Sequence, residues 1–369
     1  MPSSSKTKYY LIAGEASGDL HGSNLIKAMT SMQPGAQFRG WGGEKMEAAG
    51  MHLIKHYRET AFMGFVEVIK HLPSILGFLK QAKNDILAWQ PDAVILIDYP
   101  GFNLRMASWL HARGIDVHYY ISPQVWAWKA ARVHKLNKFA KEIICILPFE
   151  KDFYKKYGID VHYVGHPLLD EIPEHHMESP RTTLGKICLL PGSREQEIGK
   201  LLPDMIAAAL EIKPDKISIA GVNHIDRKVY ESLTQHVTEI PIEIKYGNTY
   251  ELLSSSDTAI VASGTATLET ALLGVPQVVV YRGNNISYRI AKKLVKLKYI
   301  SLVNLILDRP AVKELIQEDC TVENIVNELK NLSSNASKMQ ADYRDLRIIL
   351  GNAGASQKAA EIILTYPSS

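Results

Sequence analysis

The residues best suited to chemistry stand where apolar runs end. After Tyr9–Ala13 comes Gly14-Glu15-Ala16-Ser17-Gly18-Asp19-Leu20-His21-Gly22. Glycines permit a tight backbone there, and the N-terminus of the helix that follows can attract an anion. The run is neither a GxGxxG fingerprint nor a P-loop, so a plain strand–helix turn stays open as the alternative. After Ala93-Val94-Ile95-Leu96-Ile97 comes Asp98. A carboxylate at a strand's C-terminal end faces the ligand side of a doubly wound sheet, where partial desolvation raises its pKa and suits it to general-base work. The alternative is a cap for a helix starting near Asn103. Leu190-Pro191-Gly192-Ser193-Arg194 presents a guanidinium on a glycine turn, a phosphate-binding combination, unless Arg194 only pairs with Glu195 or Glu197. Ser263-Gly264-Thr265-Ala266-Thr267-Leu268-Glu269 ends another apolar run and opens a helix. Its backbone amides could hold a diphosphate. Glu269, about one helical turn further on, could accept two ribose hydroxyls or simply sit on an exposed helix face.

The elements that must position these residues follow from an alternation of apolar runs and helical patterns. A chain of 369 residues is too long for one ordinary core, and 46% hydrophobic with 22% charged residues is a globular composition. Strands are expected at Tyr9–Ala13, Gln37–Gly40, Ala93–Asp98, Val117–Ile121, Glu142–Leu147 and Val161–Val164, with helices at Leu20–Ser31, Pro73–Trp89 and Leu104–Arg113. The alternation breaks at Glu171–Lys186, which holds Pro173, Pro180 and Gly185. It resumes with Ile187–Leu190, Ile217–Ala220, Ile242–Tyr246, Ala259–Ala262 and Gln277–Tyr281, and the stretch from Thr321 onward reads as helical. The fold class is α/β: two doubly wound, Rossmann-like parallel-sheet domains facing a cleft. Their expected bounds are residues 1–170 and 187–345, with a linker at 171–186. Residues 346–369 are expected as a helix packing back on the first domain or on a partner subunit.

Charge distribution says more than the net charge of +3, which implies no nucleic acid. Thr270–Leu307 contains no acidic residue and six basic ones, Arg282, Arg289, Lys292, Lys293, Lys296 and Lys298, interleaved with apolar side chains. With the apolar segment Phe62–Leu79, this suggests a lipid-facing surface whose contacts include Phe62, Phe65, Ile69, Lys292, Lys293 and Lys296. A second acid-free window, Val117–Lys141, places its basic residues around a helix rather than along one face, with Val133, Leu136 and Ala140 as its buried side. Cys145, Cys188 and Cys320 have no metal-ligand or CxxC spacing, and no histidine cluster suggests a metal. No apolar run reaches the ~20 residues that span a bilayer, and the N-terminus does not read as a signal peptide. Membrane contact, if any, is expected to be peripheral.

Taken in order, several motifs give the chain a resemblance to the lipid-A-disaccharide synthase family from Ala13 to about Cys320. They are Ala13–Asp19, Met63-Gly64-Phe65-Val66-Glu67-Val68, Tyr120-Ile121-Ser122-Pro123-Gln124-Val125-Trp126-Ala127-Trp128, Leu147-Pro148-Phe149-Glu150, Leu190–Arg194 and Ala262–Glu269. The resemblance implies a GT-B glycosyltransferase that needs no cofactor or metal. Its donor would be UDP-2,3-diacylglucosamine and its acceptor 2,3-diacylglucosamine 1-phosphate, giving a β-1,6-linked disaccharide with inversion. It would work at the cytoplasmic surface of the inner membrane. The resemblance carries the catalytic roles to Asp98 and Arg194. UDP contacts fall to Gly192, Ser193, Arg194, Ser263, Gly264, Thr265, Ala266, Glu269 and Asn304. Contacts with the acceptor or donor sugar fall to Gly14, Glu15, Ser17, Gly18, Asp19, Ser122, Gln124 and Trp126. One departure stands out. Where the family commonly reads Leu-Pro-Asn-Leu-Leu-Ala-Gly-Arg, this chain has Leu302-Val303-Asn304-Leu305-Ile306-Leu307-Asp308-Arg309, which leaves the local loop shape open.

The expected mechanism is direct displacement, with Asp98 taking the proton of the acceptor's 6-hydroxyl and UDP leaving toward Arg194. No Asp-x-Asp pair offers the usual carboxylate handle for a metal-bound diphosphate, so leaving-group charge must be met by Arg194 and backbone amides. Two rivals remain at this point, a soluble UDP-sugar epimerase on the same fold and a non-catalytic nucleotide-sugar binding module. The sequence leaves the oligomeric state open, a homodimer being one option.

Overall fold

The computed structural model describes residues 7–60, 72–127, 130, 132–172, 181–283 and 298–365. The chain forms two compact units. Unit 1 comprises Met1–Asp170 and Asn352–Ser369, and unit 2 comprises Glu171–Gly351.

Unit 1 is built on seven parallel strands: β1 (Lys8–Ala13), β2 (Gln37–Gly42), β3 (Met51–His56), β4 (Ala93–Ile97), β5 (Asp116–Tyr120), β6 (Glu142–Cys145) and β7 (His162–Tyr163), in the order β3-β2-β1-β4-β5-β6-β7. Between them run α1 (Ala16–Met32), α2 (Glu44–Ala48), α3 (Leu72–Trp89), α4 (Pro100–His111), α5 (Arg132–Phe139) and α6 (Glu150–Lys155). A parallel sheet covered on both faces needs apolar residues on both, and all five residues of β4 are buried. The period of two divides the core. Tyr10, Ile12, Val94 and Leu96 face Ala82 and Ile86 of α3 and Met106 and Leu110 of α4. Leu11, Ile95 and Ile97 face Leu25, Ile26 and Met29 of α1.

A last helix, α13 (Ala355–Thr365), completes that second layer with Ala355, Ala359, Ala360 and Ile363. Asp170, where the chain leaves unit 1, receives it on its return. Its Oδ1 accepts from Gly354 N (2.5 Å) and Ala355 N (3.2 Å), and its Oδ2 accepts from Ser356 N (3.0 Å). A helix leaves its first amides without intrahelical acceptors, and one carboxylate here serves several of them.

Unit 2 has six parallel strands: β8 (Lys186–Leu190), β9 (Lys216–Gly221), β10 (Ile242–Tyr246), β11 (Thr258–Ala262), β12 (Gln277–Tyr281) and β13 (Lys313–Ile316), in the order β10-β9-β8-β11-β12-β13. Its helices are α7 (Glu195–Ile212), α8 (Arg227–Thr234), α9 (Thr249–Ser254), α10 (Thr265–Leu272), α11 (Leu302–Leu307) and α12 (Val322–Leu350). In each sheet the strand order reverses beside the first strand of the unit, between β1 and β4 and between β8 and β11. Ligands of such sheets bind at that reversal, beyond the carboxyl ends of the strands.

The differences from the sequence reading have physical reasons. Strands β3 and β13 were not expected. Both are sheet edges, and their polar, half-exposed sequences Met-His-Leu-Ile-Lys-His and Lys-Glu-Leu-Ile lack the apolar run of a buried strand. Helix α1 begins at Ala16 rather than Leu20 because Gly18 and Gly22, poor helix formers, serve packing: a Cβ on Gly22 would stand 2.7 Å from Met46 Sδ. Helix α4 begins at Pro100, a residue suited to a helix's first position. In the acid-free window from Thr270, Arg282 is ion-paired with Asp204 (2.5 Å) and also donates to the Cys320 carbonyl, so it does not belong to a lipid-facing surface. Lys298 pairs with Asp308 at 3.2 Å. The contacts expected at Phe62, Phe65, Ile69, Lys292, Lys293 and Lys296 lie outside the described residues. At the end of Phe62–Leu79, Leu79 is core and Ile75 packs on it, whereas Leu76 is exposed. The expected buried side of α5 is present: Val133 and Leu136 are fully buried and Ala140 packs beside them.

Candidate active site

In unit 1 the site is organised around a strained strand end. Asp98 (φ 44°) and Tyr99 (φ 50°) are consecutive non-glycine residues in the left-handed region, and Ile121 (φ 62°) at the end of neighbouring β5 is another. Each costs roughly 1–3 kcal/mol and persists only where its surroundings fix it. Here Asn103 Nδ2 donates to the carbonyls of Asp98 (2.8 Å), Ile97 (3.2 Å) and Ile12 (3.3 Å), while Tyr119 Oη donates to the Asp98 carbonyl (2.7 Å). Tyr99 Oη donates to the Thr60 carbonyl (2.8 Å), and its ring lies against Gly14, where an added Cβ would fall 2.3 Å from Tyr99 Cγ. The first glycine of the Gly14–Gly22 run is therefore needed to admit this ring.

The helix after β4 is capped by Tyr99, so Asp98 is not the cap, and Asn103 is buried inside α4. Burial pushes the Asp98 carboxyl up to about 7, with the Glu15 carboxylate adding to the rise and a hydrogen bond from the Tyr99 backbone opposing it. A half-buried carboxylate that titrates near neutrality can take a proton from a hydroxyl. Glu15 stands at the head of α1, and Ser17, two residues on, is half-buried.

Several of the residues expected to contact a sugar have partners within the protein. Asp19 is 3% exposed, and its carboxylate accepts from Gly43 N (2.7 Å), Lys45 N (3.1 Å) and Met46 N (3.0 Å). It caps α2 from a distance rather than facing a ligand. Gly18 packs on Ala13, with room for a Cβ at only 3.1 Å. Ser122 is buried and its Oγ lies 2.6 Å from Tyr154 Oη. Gln124 is exposed, and Trp126 is half-buried with its indole N–H donated to Glu150.

In unit 2 the switch-point strands end in open turns. Gly192 has φ 114°, and Arg194 heads α7 with its side chain 47% exposed. Arg194 Nη1 donates to Glu197 Oε1 (2.7 Å), while Ser193 N donates to Glu197 Oε2 (3.3 Å). The pairing expected as the alternative for Arg194 is thus the one present. An exposed pair of this kind contributes about 0–1 kcal/mol. A guanidinium and a backbone amide converging on one carboxylate are also the donors that a phosphate oxygen uses. Across the switch point Gly264 has φ 155° and is exposed, with nothing within 4 Å of where a Cβ would stand. Thr265 and Ala266 open α10, whose first amides have no intrahelical acceptor. Ser263 Oγ donates to the Ile300 carbonyl (3.1 Å). Glu269 Oε1 accepts from Tyr250 Oη (3.0 Å), a partner from α9 that no spacing in the sequence suggests.

Asn304, expected to touch the nucleotide, is 1% exposed and fully engaged within the protein. Its Nδ2 donates to the Val312 carbonyl (2.9 Å) and Glu314 Oε1 (2.9 Å), and its Oδ1 accepts from Val312 N (2.9 Å). Glu314 also accepts from Ile300 N, Ser301 N and Ser301 Oγ. Asn304 therefore shapes the loop that reaches Ser263. The sequence departure beside it leaves this network intact. Asp308 adopts the left-handed conformation (φ 48°, ψ 33°) that glycine takes most freely, and Val303 occupies the first turn of α11, where proline is tolerated. A separate cavity of about 460 Å³ lies against β13 and α12, lined by residues including Lys313, Glu328, Asn331 and Asp342, and of the expected nucleotide contacts it includes only Asn304.

The fold is shared by two enzyme classes. The UDP-GlcNAc 2-epimerase of Neisseria meningitidis superposes with a TM-score of 0.64 at 12% identity, over 98% of this chain and all of that one. The calicheamicin glycosyltransferase CalG4 gives 0.63 at 14%, over 98% of both chains. Sequence decides between them. The lipid-A-disaccharide synthetase family model matches residues 9–365. The chain belongs to that family. The lipid-A-disaccharide synthase of Myxococcus xanthus is 38% identical over 368 residues, 96% of each chain, and that of Psychromonas ingrahamii is 42% identical over 334 residues, 87% of this chain and 88% of that one. This lipid-A-disaccharide synthase family member is a glycosyltransferase of the GT-B fold, and the epimerase reading is set aside. Among the described residues no helix is long and apolar enough to cross a membrane, and no group of His, Cys, Asp and Glu is placed to hold a metal.

Proposed function

We propose that the enzyme transfers 2,3-diacylglucosamine from UDP to the 6-hydroxyl of 2,3-diacylglucosamine 1-phosphate with inversion, giving the β-1,6-linked disaccharide 1-phosphate and UDP. The observation that carries this reading is Asp98, held at a strained strand end with its carboxyl brought to about 7. Asp98 accepts the hydroxyl proton as that oxygen attacks the anomeric carbon. The bond to the diphosphate breaks on the opposite side, so configuration inverts. Arg194 exchanges Glu197 for the departing diphosphate, joined by the amides of Ser193, Thr265 and Ala266, and Glu269 receives the ribose hydroxyls. Donors fixed where charge develops need no reorganisation during the step. Glu15, Ser17, Gln124 and Trp126 supply sugar contacts. The test is mass spectrometry and NMR of the product from acylated donor and acceptor. A β-1,6 disaccharide with UDP released only when acceptor is present supports the reading, and UDP release without acceptor or an α-linked product refutes it.

The acylated substrates also support peripheral association with the cytoplasmic face of the inner membrane, with Lys292, Lys293 and Lys296 as basic contacts. Each lysine near an anionic surface contributes about 1 kcal/mol. Replacing all three with Gln should release the enzyme from anionic vesicles at lower salt, measured by co-sedimentation. Salt-independent or absent binding of the wild type contradicts the idea.

A further inference from the structure

The motif Leu147-Pro148-Phe149-Glu150 has no part in the reaction as derived, yet it ends in a carboxylate of unusual setting. Glu150 opens α6 and is 1% exposed, although glutamate is almost never fully buried without a cationic partner. Its side chain turns back on the end of β6. Oε2 accepts from Leu147 N (2.9 Å) and Ile146 N (3.2 Å), and Oε1 accepts from Trp126 Nε1 (3.2 Å). None of these partners is a cation. The Trp126 indole is held at its N–H by Glu150 and packs T-shaped with the Phe149 ring, 4.9 Å away at 89°. One turn along α6, Tyr154 bonds Ser122 in the same segment after β5.

Strand order places the ends of β4 and β6 two spacings apart, about 10 Å. The charge of Asp98 reaches Glu150 across that distance: burial pushes Glu150 up to about 7, Asp98 raises it further, and the two amides and the indole oppose the rise. The other groups facing Glu150 are Cys145 from β6, Tyr154 from α6 and Tyr163 from β7, all raised mainly by burial. Asp98 itself faces Glu15, Tyr99 and Tyr119.

We infer that Glu150 is a positioning residue for the transfer: it fixes the Trp126 indole and the turn after β6 on the acceptor side, and its charge, two strand spacings from Asp98, adds to the field that Glu15 sets there. The inference rests on the reading of Asp98 as the base. Glu150→Gln keeps the volume and an oxygen for the two amides, removes the charge, and sets an amide N–H against the indole N–H. The acid limb of kcat/KM should move down by about one pH unit, and kcat/KM at pH 8 should fall severalfold. Trp126→Phe keeps the Glu150 charge and should raise the acceptor KM more than it moves the limb. Independently of turnover, the fluorescence lost in Trp126→Phe should titrate near neutrality in the wild type, with its midpoint lower in Asp98→Asn. That titration also carries the test if Glu150→Gln does not fold.

An unmoved acid limb in folded Glu150→Gln, or a Trp126 signal that does not titrate or does not shift in Asp98→Asn, overturns the inference. Full turnover by Asp98→Asn would instead remove the base assignment beneath it, a separate result.

Discussion

The two units share a sheet order around their switch points and end its strands differently. In unit 1 the ends of β4 and β5 hold non-glycine residues in left-handed backbone, and desolvation pushes the Asp98 and Glu150 carboxyls up to about 7. In unit 2 Gly192 and Gly264 follow the ends of β8 and β11, and Arg194, two residues after Gly192, is half exposed in a weak pair with Glu197. Side chains desolvated on a rigid frame suit proton transfer, whereas an open glycine turn with an exposed guanidinium in a weak pair can exchange that pair for an anion. On the proposed function, the same topology serves a base at the end of β4 and a diphosphate receiver at the ends of β8 and β11.

The contrast is broken most severely at Asp98. Asp98→Asn should lower turnover by roughly 10²–10⁴ while UDP affinity, measured by calorimetry, stays near wild type. The wild-type rate should rise with pH through about 7 as Asp98 ionises, and this limb should vanish in the variant. The folded carboxyl has its pKa raised from 3.8 to about 7, so its contribution to stability is full below the lower value and lost as pH rises through the upper one. The melting temperature gained by Asp98→Asn should therefore be larger at pH 8 than at pH 5. Near-normal turnover across pH would leave unit 1 without its base.

Arg194→Ala tests the receiving side. Losing a charged hydrogen-bond donor to phosphate costs about 1.5–3 kcal/mol, so UDP should bind roughly 10–100-fold more weakly, and Arg194→Lys should recover only part because a point charge cannot replace the planar fork. Unchanged calorimetric affinity in both variants would show that Glu197 keeps the guanidinium to itself. Glu269→Gln should have a smaller effect, about tenfold on UDP affinity, with inorganic diphosphate binding as before. Equal losses for both ligands would assign the Tyr250–Glu269 pair to the helix rather than to ribose. The least change is expected at Asp308→Gly, which supplies the residue that the left-handed position prefers. Its melting temperature and turnover should match the wild type, and a large loss would mean that the loop shape depends on Asp308 itself.

The frame of this comparison was legible in the sequence because parallel strands buried on both faces must be apolar from end to end. β1, β4, β8 and β11 stood out for that reason, and Asp98, Gly192 and Gly264 were found by standing just after them. Edge strands β3 and β13 face water and carry no such pattern. The roles of single polar side chains were harder to read. Asp19 and Asn304 lie in recognisable motifs, but whether such a group faces a ligand or a backbone amide depends on contacts as distant in sequence as Asp19 and Met46. Glu150 and Tyr250 were missed as functional candidates for the same reason, since nothing in local spacing tells a buried carboxylate or a helix tyrosine from a solvated one. The motif ending in Glu150 was the one available signal.

The clasp between Asp170 and the start of α13 has a consequence for the order in which the molecule is made. Most of unit 1 leaves the ribosome first, but its α1 layer lacks Ala355, Ala359, Ala360 and Ile363 until the last helix emerges. All of unit 2 is translated in between, which takes roughly 10–40 s at the usual 5–20 residues per second. Unit 2 therefore has its full complement of residues before unit 1 does, and the nascent first unit waits with Leu25, Ile26 and Met29 uncovered by α13. A chain truncated before Ala355 would therefore carry every residue of unit 2 that precedes that helix beside a unit 1 that lacks α13.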